Sequence, residues 1–220
     1  MNAYPVYLTN LDEQRAVVVG SGPTVERKVK GLLDADARVT LIAPDPLPQL
    51  SAWAHAGRLE WRDRRYRRGD LQTAALVIVT EACAEAKRRI RKDAREQNVL
   101  LNITGDTDES TFANGAVLRR GPLVVSVSTA GGAPSLAVRI REKLAEEVGA
   151  EYEELLTIMN ALRDPMQEQV SDVQARRDRW YAILDSDVLD LLADGRREDA
   201  LDRIESIVGP TIMKQTEGCF

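Results

Sequence analysis

Two cysteines and one histidine in 220 residues leave little material for metal or disulfide chemistry. Cys83 and Cys219 lie far apart and fit neither a zinc spacing nor a disulfide framework, so the expectation is two unpaired thiols in a reducing cytosol and no metal site. Long apolar runs are also missing. No stretch reaches the roughly 18 apolar residues of a membrane span, and Met1–Tyr7 has no basic flank leading into an apolar segment, so neither an anchor nor export is expected. Basic charge is not in excess: 30 Lys and Arg face 35 Asp and Glu, a formal net charge of -5, which argues against a general nucleic-acid binder. These features describe a mildly acidic cytoplasmic protein, long enough to bury a core without staples.

What is present is an alternation of strand and helix patterns. Ala16–Val19 is a short apolar run stopped by Gly20-Ser21-Gly22, after which Val25, Val29, Leu32 and Leu33 recur at helical spacing. Further strand-like runs stand at 39–43, 76–79 and 99–103, with helical stretches at 47–57 and 82–97. Continuous apolar strands between helices predict a parallel sheet covered on both faces, hence an α/β class. From residue 116 the pattern changes. Two runs, 116–118 and 123–128, join through Arg119-Arg120-Gly121-Pro122 as a hairpin, and the rest is helical, with breaks expected near Asp164-Pro165 and Gly195 and a loose tail from Gly209. The expected division is a Rossmann domain at 1–112, a dimerisation segment at 113–148 and a helical domain at 149–220.

Gly20-Ser21-Gly22 lies between a strand and a helix, the context in which glycines approach a pyrophosphate and the helix N-terminus at Pro23-Thr24 receives the anion. The third glycine of the usual fingerprint is replaced by Val25, and a plain structural turn is the competing account. Asp45 ends the second strand, where an acidic residue holds ribose hydroxyls and favours NAD over NADP; an Asp between two prolines is also a common turn former. Thr80, at the edge of the third run, is expected to line the same crevice. Arg58, Arg62, Arg64, Arg65, Arg67 and Arg68 form a basic run with two readings, a solvated face or an attractor for a polycarboxylate. Ser128-Thr129-Ala-Gly131-Gly132 before a helix offers either an anion-binding loop or a capped helix start.

Gly20-Ser-Gly-Pro-Thr-Val-Glu-Arg-Lys28, followed by Val39–Pro44, resembles the opening of the precorrin-2 dehydrogenase family, the module that also begins bifunctional siroheme synthases. Asn102-Ile103, Phe112, Arg120–Val125, Ser128-Thr129, Gly131, Pro134 and Arg141–Leu144 resemble it in order and spacing, covering residues 1 to about 147. The resemblance implies a homodimer that oxidises the tetrapyrrole precorrin-2 to sirohydrochlorin, with NAD taking the hydride; charge and the lack of long apolar runs already argue against nucleic acid or membrane as partner. It implies that Gly20, Ser21, Gly22, Pro23 and Thr24 hold the cofactor phosphates, Pro44 and Asp45 the adenosine end, and that Thr80 adjoins the nicotinamide. Substrate contacts are expected from Arg120, Ser128, Thr129, Gly131 and Arg141.

One departure concerns the catalytic position. Gly105 stands where the family carries its aspartate, so Asp106 becomes the acid/base expected here, against the alternative that Asp106, Thr107 and Asp108 form only a polar turn. Ala86 or Lys87 replaces a family asparagine on the helix after the third run. Two other functions stay open: added insertion of ferrous iron, and a non-catalytic NAD or tetrapyrrole-binding module that lost its aspartate. An unrelated Rossmann oxidoreductase or NAD-binding regulator does not account for the Arg120–Leu144 segment.

Overall fold

The computed structural model describes residues 3–80 and 82–216, so Cys219 lies outside the described residues. The chain divides into two compact units, one of residues up to Asn114 together with Ala130–Gly132, the other of Gly115–Thr129 with the residues from Ala133 onward.

The first unit is built on five parallel strands: β1 (Arg15–Val19), β2 (Arg38–Ile42), β3 (Glu60–Arg62), β4 (Ala74–Val79) and β5 (Leu100–Ile103), in the order β3-β2-β1-β4-β5. Three helices, α1 (Pro23–Leu33), α2 (Pro48–His55) and α3 (Ala84–Glu96), connect them. The unbroken apolar runs of the strands follow from burial on both sides. Ala16 and Val18 of β1 join Leu41 and Ile78 in a core under Val25, Val29 and Leu32 of α1 and Leu50 of α2. Val17 and Val19 point the other way, packing with Val77, Val79, Leu101 and Ile103 against Ile90 and Ala94 of α3. Each buried side chain of this size contributes about 1.5–3 kcal/mol, which favours this register over a one-residue slip.

Sequence patterning does not find β3. Its three residues, Glu-Trp-Arg, carry no apolar run, and what holds them at the sheet edge is tertiary: Thr40 Oγ1 donates to Glu60 at 3.2 Å and Trp61 Nε1 donates to the Ala43 carbonyl at 2.9 Å. At the opposite edge the backbone of Thr111 and Phe112 bonds the Leu101 carbonyl, and Asn102 Nδ2 donates to the Phe112 carbonyl at 2.9 Å.

In the second unit, β6 (Ala116–Arg120) and β7 (Leu123–Val127) form the expected antiparallel hairpin, with Arg120 opposite Leu123 and Gly121 at a left-handed φ of 50°. Helices α4 (Pro134–Glu147), α5 (Glu151–Gln169), α6 (Val173–Leu184), α7 (Val188–Ala193), α8 (Arg197–Val208) and α9 (Pro210–Lys214) follow. The break expected at Asp164-Pro165 does not occur, because α5 runs through Pro165. Leu155, Ile158, Leu162 and Met166 form one buried stripe along it, and that packing outweighs the about 3 kcal/mol of an interior proline. The expected loose tail is likewise replaced as far as Thr216: Ile212 of α9 is buried in the same helical core. The break at Gly195 is present, with φ of 73°, between α7 and α8.

Candidate active site

The C-terminal ends of β1 and β4 meet where the strand order reverses, the place at which open α/β sheets hold ligands. Backbone bonds continue past the strands here: Gly20 N–H donates to Ile42, Thr80 N–H to Val19 and Thr104 N–H to Val79, at 3.1, 3.0 and 2.8 Å. The turns after β1, β2, β4 and β5 are thereby set side by side.

Gly20 and Gly22 adopt φ of 129° and 99°, where a side chain is rarely tolerated. No side chain caps α1 at Gly22, and Pro23 occupies its first turn, so the helix presents backbone N–H groups and positive dipole at its open end. Such a cradle fits a pyrophosphate, and Gly20 to Thr24 are the residues that would hold one. Pro44 and Asp45 are exposed just beyond β2, Asp45 at a left-handed φ of 49°. Thr80 is buried, with its hydroxyl 3.5 Å from the Val19 carbonyl beside the glycine turn. On α1, burial and then the charge of Arg27 hold the Lys28 ammonium below its usual range.

Asp106 follows β5 through a tight turn. Its N–H donates to the Ile103 carbonyl at 3.0 Å, and Gly105 supplies the φ of 82° that the third turn position requires. The carboxylate accepts the Glu109 N–H at 3.1 Å through Oδ1, and the Asp106 carbonyl accepts the Ser110 hydroxyl at 2.6 Å. The Asp106–Asp108 stretch is therefore a polar turn with a defined carboxylate position. Gly131, at φ of 83°, belongs to the same unit and lies against Thr107, so a loop 25 residues further along the chain flanks the Asp106 turn.

The remaining expected substrate contacts belong to the second unit. Arg120 donates to the carbonyls of Val148 (2.9 Å) and Ala145 (3.3 Å), capping the end of α4 with two of its five donors, and a third bond goes to its β6 neighbour Arg119 (3.2 Å). Thr129 Oγ1 accepts the Ala133 N–H at 3.0 Å, holding the start of α4. Ser128 is exposed, and Arg141, half-buried on α4, stands 3.5 Å from Glu142.

The arginine run is used mainly for structure. Arg62 and Arg64 grip the buried carboxylate of Asp70, Arg68 pairs with Glu96, and Arg58 stacks over Trp53 at 5.5 Å. Asp70 is not legible in the sequence, because one Asp among several carries no signal until its arginines converge. Arg91 is hidden for a similar reason: its partner, Glu109, lies beyond a strand and a turn. His55 bonds the Ser51 carbonyl within its own helix and faces solvent.

Comparison with known proteins adds to this geometry. Residues 7–116, half of the chain, match the family described as putative NAD(P)-binding. The chain belongs to this NAD(P)-binding family. Residues 151–207, within the stretch expected to be a helical domain, match the sirohaem synthase dimerisation region. The siroheme synthase of Chromobacterium violaceum is 32% identical over 205 residues, covering 93% of this chain and 43% of that protein. That of Thioalkalivibrio sulfidiphilus is 28% identical over 205 residues, with 93% and 42% covered. The chain thus spans less than half the length of these curated relatives. The solved structure of SirC, precorrin-2 dehydrogenase, superposes with a TM-score of 0.75 at 23% identity, covering 93% of this chain and all of that one, which shows the same fold. Among the described residues no helix is long and apolar enough to cross a membrane.

Proposed function

We propose that the chain is a precorrin-2 dehydrogenase, oxidising precorrin-2 to sirohydrochlorin with NAD as hydride acceptor. The observation that carries this reading is the joining, in one chain, of an NAD(P)-binding module with its glycine turn at the switch point and a region otherwise matched to siroheme synthases. NAD, when bound, supplies the two-electron acceptor. Gly20 to Thr24 orient its phosphates, and Pro44 and Asp45 flank its adenosine end, where the Asp45 carboxylate disfavours the extra phosphate of NADP. Thr80 would adjoin the nicotinamide. Loss of a hydride from the macrocycle is balanced by loss of a proton, and Asp106 takes that proton on its carboxylate. Arg120, Ser128, Thr129, Gly131 and Arg141 meet the substrate's carboxylates in this reading.

The three-part division at 1–112, 113–148 and 149–220 belongs to the same proposal, as do a homodimer and a cytoplasmic site of action. The dimerisation-region match supports the homodimer. A second reading, a binding module without turnover, is favoured by two observations: Gly105 stands where the resemblance puts the family's aspartate, and the Asp106 carboxylate already accepts a backbone N–H. Ferrous iron insertion into sirohydrochlorin would be a further activity of the first reading.

Anaerobic mixing with NAD and enzymatically generated precorrin-2 tests the proposal. Coupled formation of NADH and of the sirohydrochlorin spectrum is expected from the wild type, with turnover lost in Asp106→Asn. Tight NAD binding with no spectral change would establish the binding module instead, and wild-type turnover by Asp106→Asn would remove that residue as the base.

A further inference from the structure

Arg91 lies in the third turn of α3, between Ile90, which is fully buried, and the buried pair Asp93 and Ala94. Its guanidinium forms an ion pair with Glu109, and both side chains are about one-third exposed, at 29% and 35%. Glu109 is the residue whose N–H bonds Asp106 Oδ1 at 3.1 Å. One residue therefore holds the Asp106 carboxylate through its backbone while being held itself, through its side chain, by a helix anchored in the core.

We propose that Arg91 is a positioning residue: through Glu109 it clamps the loop after β5 and fixes the direction of the Asp106 carboxylate. The inference rests on Asp106 being the base. The Thr104–Glu109 stretch is a surface turn with two aspartates and a glycine at positive φ, and such a turn has many conformations open to it. Ser110 fixes its far end, with Oγ donating to the Asp106 carbonyl and accepting the Ile103 N–H at 2.9 Å. Those bonds set the backbone and leave the side-chain direction to the Glu109 N–H. The Arg91 pair stops that peptide from rotating away. A partly shielded ion pair weakens less with salt than an exposed one, so the clamp persists at ordinary ionic strength.

The test uses the full chain and two readouts. Hydrogen exchange of the 104–110 amides is compared in wild type, Arg91→Met, the isosteric Glu109→Gln, and the charge-reversed double variant Arg91→Glu with Glu109→Arg. Exchange about fivefold or more faster is expected in both single variants, with recovery in the reversed pair. Alongside it, kcat for NADH formation is expected to fall about tenfold while the NAD Kd and the precorrin-2 KM stay within about twofold. Unchanged exchange in Glu109→Gln overturns the clamp. Faster exchange with wild-type kcat overturns its role in positioning and leaves Asp106 as base untouched. Wild-type turnover by Asp106→Asn, measured in parallel, overturns the reading beneath it.

Discussion

Arg64 and Asp70 meet in a two-point pair: Nη1 donates to Oδ2 at 2.8 Å and Nη2 to Oδ1 at 2.7 Å, while the Arg67 N–H adds a bond to Oδ2 at 2.7 Å and Arg62 reaches Oδ1 at 3.1 Å. The Asp70 side chain is only 5% exposed. This cluster sets the link between β3 and β4, and with it the placement of Leu71 in the core under α3.

Burial alone would raise the Asp70 carboxyl, but the Arg64 bonds, the Arg67 N–H and the charges of Arg64 and Arg62 together hold it below its ordinary range. A carboxyl with a lowered folded pKa stabilises the protein above its unfolded value of about 3.9, and that contribution is lost as pH falls through the folded value. Asp70→Asn is therefore expected to cost about 2–3 kcal/mol near neutrality, less than a wholly buried pair because both arginines reach water. Urea unfolding from pH 7 down to about pH 2 should show the gap between wild type and variant closing at the acid end. A gap of constant size across that range would contradict the assignment.

Gly131 is constrained twice. Its φ of 83° disfavours any side chain, and an added Cβ would stand 3.1 Å from Thr107 Cγ2. Gly131→Ala should destabilise the protein by about 1–2 kcal/mol and, under the proposed function, raise KM for precorrin-2. Adding Thr107→Ser, which removes the crowding methyl but not the backbone strain, should recover part of the loss in a denaturation experiment.

Under the proposed function, Asp45 carries the cofactor preference. Because asparagine also tolerates its left-handed φ of 49°, Asp45→Asn removes the charge with little change in the turn. NAD affinity is expected to weaken about tenfold, or 1.4 kcal/mol, with NADP binding improved relative to it. Fluorescence titration with both nucleotides checks this, and an unchanged ratio would move the selection elsewhere.

Much of the architecture was legible in the chain because it rests on patterns of short range. Val17 to Val19 need burial on both faces wherever they stand, Gly20 and Gly22 announce a turn before any contact is known, and Val25, Val29 and Leu32 repeat at the helical period. The expected Asp164-Pro165 break is absent for the complementary reason. Proline's local cost is real, but a buried stripe on either side of it decides the outcome.

The sequence by itself determined the parallel α/β unit, the hairpin, the helical character of the remainder and the position of the glycine turn, since periodicity, turn chemistry and backbone freedom are properties of neighbouring residues. Only the tertiary structure decided that Glu60–Arg62 is a strand, that Arg62 and Arg64 are bound to Asp70, that Arg120 caps a helix, and that Arg91 reaches Glu109. Those outcomes depend on which distant groups are brought within hydrogen-bond reach and shielded from water, and no local pattern encodes that distance.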